Sequence, residues 1–411
     1  MVENKRIRVL LACSGVGRVN RGIETFFREA FDGLRATPAL DLRLIKGQGI
    51  VSANELVSWN LPRTGILARL LGRLSKRNGY VVEQWSSLFS VAAQIRRFRP
   101  HVVFYSDANL GFLLFRLRKW IGVPFQLLFS NGGPVRPPFT RTDFVHQVAP
   151  CYYLEALGAG EPAAKHFCIP YGIRVADPPQ QLNPASREKL RRELGLPIKR
   201  KVVLSVGWIR RIHKRMDYVI EEIARLPQPR PFLQLLGSMD AESREIIELG
   251  LKLLGEDGFR ATEVPYTRVG DFYRAADCFV LGSLAEGFGR VYLEAQMHGL
   301  PTIAHRNAVT QYVLWNSETL RDLTKPGELA LAVAAEFSKP ADFRERFARW
   351  EVVRDRFDWP VLLPSYVSMF ARCTQTQAHA LGSERRNDRP KHSEAVACGE
   401  PFRAFRRSRY S

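Results

Sequence analysis

Short apolar runs and amphipathic helical segments alternate along most of the chain, and this alternation limits the fold more than any other feature. The first run, 6–14, is nearly continuous in hydrophobic residues and leads through a glycine loop into a helical pattern over 15–34. Similar strand-like runs lie at 41–49, 101–107 and 123–130. Continuous apolar runs are typical of parallel strands buried on both faces. The sequence therefore predicts an α/β fold with an open, doubly wound sheet.

A second unit of the same kind follows a linker. Residues 176–190 carry the prolines and polar residues of a connecting segment, and a strand, a basic loop and a helix follow over 201–226. A chain of 411 residues is long enough for two domains with separate cores. We expect one domain over 1–175 and a second over 180–355.

Residues 283–299 form a strand end, a turn and a helix in this second unit. An apolar run at 278–283 predicts a short buried strand, and apolar residues at helical spacing predict a helix that ends near Gly299 and Pro301. The turn consists of Gly287, Phe288 and Gly289. This order places the start of the helix beyond the carboxyl end of the strand, where open α/β sheets bind ligands.

Two carboxylates lie in this stretch, Glu286 at the strand tip and Glu294 about two helical turns further on. Between them, the backbone N–H groups of Gly289 and Arg290 face the crevice, and the helix dipole favours an anion there. One carboxylate can hold a sugar hydroxyl and the other a ribose diol, with a diphosphate between them. The alternative is that the acidic residues only complement the helix dipole, which makes them common in a first helical turn. We interpret the stretch as a site for a sugar nucleotide.

The two acidic residues and their spacing resemble the E-x7-E signature of retaining glycosyltransferases of the GT-B fold, family 4 (glycosyl transferases group 1). The resemblance covers most of residues 7–372. It implies two Rossmann-like domains that face a central cleft. It also implies that Glu286 contacts the transferred sugar, that Glu294 contacts the ribose, and that the backbone near Tyr266 lies against the base.

The loop after the strand at 201 resembles the diphosphate clamp of the same family. Gly207 and Lys214 match the clamp, but Trp208 stands where its arginine is usual and Arg215 replaces its second glycine. The candidates for the missing charge are Arg210 and Arg211. A guanidinium would pair bidentately with a phosphate, whereas a lysine acts as a point charge. The alternative is a solvated basic surface.

The first glycine loop belongs to the acceptor side by this resemblance. Gly15 and Gly17 are followed by Asn20 where a dinucleotide-binding fingerprint needs its third glycine, so we discount that fingerprint. Gly22 and Glu24 match the G-x-E of the family. The residues assigned to the acceptor side are Gly15, Gly17, Arg21, Gly22, Asn131 and His146. The last two lie in 130–150, which its glycines and prolines predict to be a loop, and a histidine between apolar neighbours is more often structural.

Two further segments mark boundaries. Residues 166–175 resemble the family's I-P-N-G-V motif, with Tyr171 in place of the asparagine, and close the N-terminal domain. Residues 356–375 resemble the terminal helix that crosses back onto that domain. From 382 to 411 the chain is polar, rich in arginine and without periodicity, which predicts a disordered basic tail.

The net charge of +20 must have an electrostatic consequence, and the candidate partners are nucleic acid, an anionic membrane and anionic ligands such as nucleotide diphosphates. Between Arg63 and Arg99 there are eight basic residues and a single acid, Glu83. In the helix predicted over 61–79, an apolar stripe lies beside a basic face, which is the pattern of a helix on an anionic bilayer. The alternative is an ordinary surface helix whose leucines face the core of its own domain. The stripe comprises Ile66, Leu67, Leu70, Leu71 and Leu74, flanked by Arg69, Arg73, Lys76 and Arg77.

Neither a signal peptide nor a transmembrane segment is predicted, because the chain runs from charged residues straight into a strand and has no long apolar segment. Its six cysteines are widely scattered and include no C-x-x-C pair, which argues against a zinc site or a disulfide framework. We expect a cytoplasmic protein, with peripheral association at the inner face of the plasma membrane as an option.

The predicted reaction is transfer of a hexosyl group from a nucleoside diphosphate sugar to a saccharide or lipid-linked hydroxyl acceptor, in polysaccharide or glycolipid synthesis. Retention of configuration is implied by the resemblance. Lys214 and the helix N–H groups would stabilise the leaving diphosphate, so no metal is expected. We also expect no cofactor and no nucleic-acid partner. Two alternatives stay open: an inactive GT-B protein that binds membrane or nucleic acid, and a GT-B phosphorylase or epimerase.

Overall fold

The structure is a computed structural model that describes residues 6–19, 21–133, 135–179, 184–315, 318–340 and 342–383. Two parallel sheets organise it, one of seven strands and one of six. The predicted class, α/β with two doubly wound domains, is confirmed.

The first sheet lies within residues 7–168. Its strands are β1 Ile7–Cys13, β2 Leu40–Lys46, β3 Glu55–Val57, β4 Val102–Tyr105, β5 Gln126–Asn131, β6 Phe144–Gln147 and β7 His166–Cys168. Their spatial order is β3-β2-β1-β4-β5-β6-β7. The helices of this region are α1 Gly22–Leu34, α2 Ile66–Leu74, α3 Gly79–Ser86, α4 Leu88–Phe98, α5 Ala108–Ile121 and α6 Pro150–Gly158.

Alternate residues of the central strand β1 fill two cores, one on each face of the sheet. Leu10 and Ala12 pack with the inner sides of α4 and α5, whereas Val9 and Leu11 pack with α1. This alternation follows from the period of two in a strand. Because all seven strands are parallel, the loops after β1, β4 and β5 lie at the same edge of the sheet.

The second sheet follows helix α7 Pro184–Glu193. Its strands are β8 Val202–Val206, β9 Phe232–Leu236, β10 Phe259–Thr262, β11 Cys278–Val280, β12 Thr302–His305 and β13 Leu320–Arg321, in the order β10-β9-β8-β11-β12-β13. The helices are α8 Met216–Ala224, α9 Ala241–Leu254, α10 Tyr266–Ala275, α11 Arg290–Met297, α12 Ala308–Val313, α13 Glu328–Ser338 and α14 Phe343–Phe357. The central strands β8 and β11 are neighbours, which brings the loops after them together.

The last helix, α15 Trp359–Ser383, contacts α1 and the strands of the first sheet. Trp359 stacks on Phe26 of α1, with ring centroids 6.0 Å apart. The sequence predicted a terminal helix over 356–375 that returns to the N-terminal domain. The basic tail predicted from 382 onward lies outside the described residues, except for 382 and 383, which end α15.

Two predictions of local structure need correction. The segment 130–150 was expected to be a loop, but it contains β6, because Phe144–Gln147 is a fully buried run that extends the sheet beyond β5.

The alternative that the α2 stripe faces its own core is wrong. Ile66 and Leu74 are each 76% exposed, and the small residues Ala68 and Gly72 face the domain instead.

Candidate functional site

Lys214 and Glu286, predicted from two separate motifs, form an ion pair. Lys214 Nζ lies 2.7 Å from Glu286 Oε1, and the two side chains are 19% and 16% exposed. Lys214 lies in the loop between β8 and α8, and Glu286 lies in the loop between β11 and α11. Because β8 and β11 are adjacent parallel strands, their following loops meet at the carboxyl edge of the sheet. The pair places one cation and one carboxylate together at that edge.

Gly207 is required by the close approach of the Lys214 side chain. A Cβ atom at this position would lie 2.9 Å from Lys214 Cε, and the φ angle of Gly207 is +151°. The first glycine of the predicted clamp thus opens the space through which the lysine reaches Glu286.

The two arginines proposed as the second clamp cation are engaged elsewhere. Arg210 forms an ion pair with Asp240, the N-cap of α9, and its guanidinium lies 3.6 Å from the ring centroid of Trp208. Arg211 Nη2 lies 3.3 Å from Glu245 Oε2 on α9. Both guanidinium groups are therefore held at the start of α9. A clamp role for either one stays a prediction and would require its rotation away from these partners.

Glu294 lies among tyrosine hydroxyls rather than in open solvent. Tyr266 and Tyr273 of α10 donate hydrogen bonds to its two carboxylate oxygens, each at 3.3 Å. Burial raises the pKa of Glu294 above its ordinary value, and the positive charge of Arg290 acts in the opposite direction. Tyr273 was not predicted, because helical spacing indicates only that its ring is buried.

A cavity of about 620 Å³ lies between the two domains and is open to Glu294. The C-terminal domain contributes Tyr266, Tyr273, Glu294 and His298 to its lining. The N-terminal domain contributes residues that include Gly17, Glu24 and Thr25. The structure therefore joins the second predicted carboxylate and the first glycine loop in one cavity.

The first glycine loop lies over an ion pair. A Cβ atom on Gly15 would lie 2.3 Å from Glu24 Oε1, so only glycine fits beneath that carboxylate. Arg21 pairs with Glu24, and its guanidinium lies 5.5 Å from the ring centroid of Tyr80. These residues put both charges and an aromatic face beside the first glycine loop, which the sequence predicts to lie on the acceptor side.

Of the other two glycines of this loop, Gly17 marks a close approach of the backbone, whereas Gly22 has room for a side chain. Gly17 has a φ angle of +81°, and a Cβ atom there would lie 2.1 Å from the carbonyl oxygen of Gln48. Gly22 begins α1, and a Cβ atom there would lie 3.7 Å from Arg290 Cδ, across the domain boundary.

Asn131 and His146 lie in the core and not at the cavity surface. Asn131 is 1% exposed, and its amide donates to Val135 O and to Gln147 Oε1. His146 is 0% exposed, with Nε2 2.8 Å from Ile169 O and Nδ1 3.1 Å from Ser130 Oγ. Burial lowers the pKa of His146 to about 4, so the ring is neutral at pH 7. The structure gives the predicted acceptor role of these two residues no support, because β6 turns His146 inward.

The turn after Glu286 contacts the N-terminal domain, which the sequence did not predict. Tyr152 OH donates to Gly287 O at 2.7 Å. Arg290 donates to Gly172 O at 2.7 Å and to Glu29 at 2.8 Å. Local patterns carry no signal for contacts between residues more than a hundred positions apart.

Within the described ranges, no three histidine, cysteine, aspartate or glutamate side chains are grouped so that they could hold a metal ion. No helix in those ranges is both long and apolar enough to cross a bilayer. The expectation that the reaction needs no metal stays a prediction.

Comparisons with known proteins agree with this geometry. Residues 186–349 match the family model of glycosyl transferases group 1. D-inositol 3-phosphate glycosyltransferase 2 of Catenulispora acidiphila is 33% identical over 208 residues, which are 47% of this chain and 48% of that protein. The chain thus spans about half of the length of this relative. The resemblance predicted from the E-x7-E stretch and the clamp loop is confirmed over the C-terminal part.

Solved structures extend the likeness to the whole fold. Sucrose-phosphate synthase from Thermosynechococcus elongatus is similar with a TM-score of 0.72 at 20% identity, over 91% of this chain and all (100%) of that one. The Anabaena protein HepE in complex with UDP-glucose has a TM-score of 0.65 at 15% identity, over 92% of this chain and 100% of that one. At these identities the likeness concerns the fold, and it agrees with the predicted GT-B architecture.

Proposed function

We propose that this protein is a glycosyltransferase that moves a sugar from a nucleoside diphosphate sugar to a hydroxyl acceptor in the cleft between its two domains. The observation that carries the proposal is the ion pair between Lys214 and Glu286, at 2.7 Å, in the part of the chain that matches the group 1 family. A cation and a carboxylate at one sheet edge suit a donor with a diphosphate on one side and sugar hydroxyls on the other.

In the proposed reaction, Lys214 turns from Glu286 to the diphosphate when the donor binds. Its charge then stabilises the negative charge that develops on the leaving diphosphate, together with the N–H groups at the start of α11. Glu286 is released to accept a hydrogen bond from a sugar hydroxyl. Before the donor binds, the ion pair keeps both groups at the same edge of the sheet.

We assign Glu294 to the ribose of the donor. It opens onto the interdomain cavity, and the hydroxyls of Tyr266 and Tyr273 fix its carboxylate. Tyr266 is 46% exposed beside it and offers an aromatic surface at the same end of the cavity. A carboxylate that accepts two hydroxyl hydrogen bonds from the protein keeps further lone pairs for a diol.

Transfer of a hexose and retention of its configuration are the finer parts of the proposal. Glu286 would be occupied by the sugar, so a carboxylate nucleophile of the double-displacement type has no assigned residue. A phosphorylase or epimerase of the same fold would use the same clamp, and the products distinguish it from a transferase. A lipid-linked acceptor would make the membrane contact of α2 proposed below useful.

The test is a panel of nucleoside diphosphate sugars, beginning with UDP-glucose, scored for thermal stabilisation and for sugar release. Saccharides, inositol phosphate and a lipid-linked sugar serve as acceptors. We expect at least one donor to stabilise the wild-type protein and to be consumed, and we expect Glu286→Gln to lower the rate of consumption strongly while it preserves the fold. Stabilisation without consumption in any combination would favour the inactive binding protein, and release of a sugar phosphate would favour the phosphorylase.

We further propose that α2 rests on an anionic membrane surface. Its five apolar side chains are between 43% and 76% exposed, which is unusually high for a group of neighbouring aliphatic residues. Four basic residues on and after the helix are exposed as well: Arg69, Arg73, Lys76 and Arg77. Apolar residues that enter the interface and cations that meet lipid phosphates suit a peripheral contact with the cytoplasmic leaflet.

Sedimentation with vesicles tests this contact. Binding should increase with phosphatidylglycerol content, decrease with salt, and fall at least about tenfold when the four basic residues of the α2 segment become serine, since each is worth about 1 kcal/mol near an anionic surface. A control with the same charge change replaces exposed residues of the C-terminal domain: Lys199, Arg244, Lys252 and Arg260. Equal losses in the two variants would contradict a specific role of α2.

A further inference from the structure

We propose that Tyr152 and Arg290 are positioning residues through which the N-terminal domain holds the loop of Glu286 in its reactive place. The inference rests on the proposed glycosyl transfer, because it concerns the carboxylate assigned to the sugar. Neither side chain touches the ion pair itself. Tyr152 contacts the backbone of this loop from the N-terminal domain, whereas Arg290 lies at the end of the loop and its side chain reaches across to that domain.

Tyr152 fixes the beginning of this loop. It lies on α6 of the N-terminal domain, and its hydroxyl is 2.7 Å from Gly287 O and 3.3 Å from Glu286 O. The residues joined by these hydrogen bonds are more than 130 positions apart in the chain. The carbonyl of the reactive carboxylate's own residue is therefore held from across the cleft.

Arg290 fixes the end of the loop. Its side chain is 4% exposed and carries an ion pair with Glu29 of α1 at 2.8 Å, together with a hydrogen bond to Gly172 O at 2.7 Å. Glu29 also accepts a hydrogen bond from the backbone N–H of Arg174 at 3.1 Å. A buried charge that lost its partner would be costly, so this contact keeps the start of α11 against the N-terminal domain.

The backbone between these two points is packed without spare room. A Cβ atom on Gly287 would lie 2.0 Å from Gly132 O, so the two glycine turns touch directly. Phe288 is 3% exposed and meets Tyr171 of the N-terminal domain edge-to-face, with centroids 5.3 Å apart. With both ends and the middle in contact, the orientation of Glu286 depends on closure of the two domains.

This arrangement gives the two domains a shared role in catalysis. If the cleft opened, the loop would lose its contacts to Tyr152 and Glu29, and the carboxylate would lose its fixed direction. Closure around donor and acceptor would restore them. The contacts therefore favour turnover more than donor binding, because a misdirected carboxylate lowers the rate of the step in which the sugar is transferred.

Amide hydrogen exchange of residues 284–291 tests the positioning directly. The variants are Tyr152→Phe, Glu29→Gln and their combination, which keep side-chain size and remove one contact each. Exchange in this loop should become about fivefold faster in each single variant and faster still in the double variant, because each lost hydrogen bond favours local opening. Tyr218→Phe is the matched control, since that hydroxyl donates to Lys325 O inside the C-terminal domain. Exchange that stays at the wild-type rate in all three variants would overturn the proposal.

Kinetics with the donor found in the nucleotide-sugar panel provide the second readout. We expect Tyr152→Phe and Glu29→Gln to lower kcat about fivefold each, with donor KM within about twofold of wild type. Arg290→Lys should retain more activity than Arg290→Met, because it keeps the charge opposite Glu29. A rise in KM at unchanged kcat would contradict positioning. If wild type transfers no sugar from any donor, the proposed function fails, while the exchange measurement still decides whether the N-terminal domain holds the loop.

Discussion

Replacement of Lys214 by methionine removes the ammonium group from the proposed site and keeps most of the length of the side chain. Lys214 Nζ is 2.7 Å from Glu286 Oε1, and both side chains are less than one-fifth exposed, at 19% and 16%. A hydrogen bond to a charged group under such conditions has a net value of about 1.5–3 kcal/mol. If the lysine makes a bond of this kind to the diphosphate in the transition state, its loss should lower kcat/KM for the donor about 10- to 150-fold.

The fold should tolerate this change. Lys214 lies in a loop, and its removal leaves the apolar core untouched, so the free energy of unfolding should fall only by the value of the lost pair, about 1.5–3 kcal/mol. The Lys252→Met variant, which removes an exposed lysine of α9, controls for the loss of one charge in the same domain. The assay is the initial rate of donor consumption at saturating acceptor, with thermal unfolding of each variant measured in parallel.

The double variant with Glu286→Gln separates two explanations of a loss. In Lys214→Met, the carboxylate is left without its cation, and in Glu286→Gln, the lysine is left without its anion. The fold-loss of kcat/KM in the double variant should therefore be smaller than the product of the fold-losses in the two single variants. Lys214→Met with the wild-type rate and an unchanged fold would refute the assignment of the lysine to the diphosphate.

Three other predictions concern the carboxylates, metal and pH. Glu286→Gln should lower kcat more than Glu294→Gln, whereas Glu294→Gln should mainly raise donor KM, because the ribose does not react; the reverse order in steady-state kinetics would exchange the two roles. Activity should survive EDTA without added divalent metal, and a complete loss that magnesium or manganese restores would contradict a mechanism based on Lys214. Burial lowers the pKa of His146 to about 4, so as the pH falls the unfolded chain binds a proton there before the folded chain does. The free energy of unfolding should therefore be highest above about pH 6.5 and fall by up to about 3 kcal/mol as the pH decreases toward 4. If the free energy of unfolding of His146→Gln depended on pH in this range as that of wild type does, the prediction would be wrong.

The sequence was informative where a short segment carries its own signal. The alternation of apolar runs and helical stripes indicated both sheets, because parallel strands buried on two faces require continuous hydrophobic residues. The E-x7-E stretch and the loop of Lys214 were found separately, and the adjacency of β8 and β11 brings their side chains to hydrogen-bond distance. That adjacency is a property of the strand order, which a local pattern does not reveal.

Several side chains have contacts that local patterns do not reveal. His146 was placed in a loop because glycine and proline precede it, but the four-residue strand β6 extends the sheet and turns the imidazole inward. Arg210 was a reasonable clamp cation by its loop position, yet the N-cap carboxylate Asp240 takes its guanidinium. The contacts of Tyr152 and Arg290 depend on how two domains meet, and no periodicity encodes this.

The α2 helix shows that a correct pattern can leave its meaning open. The stripe of Ile66, Leu67, Leu70, Leu71 and Leu74 indicated one apolar face, which the structure has. Sequence alone did not tell whether this face meets the domain or the solvent, because both arrangements have the same period. The small residues Ala68 and Gly72 decide it, since they allow the opposite side of the helix to approach the domain.

Proton NMR of the complete reaction follows the proposed transfer and its stereochemistry together. Wild-type protein is incubated with the acceptor and donor selected by the nucleotide-sugar panel, and the anomeric signals are followed, with Glu286→Gln as the parallel sample. The proposed function predicts that the donor signal decays, that a glycoside signal of the same anomeric configuration grows, and that both changes are much slower with Glu286→Gln. A product of inverted configuration, or equal turnover by the variant, would contradict it.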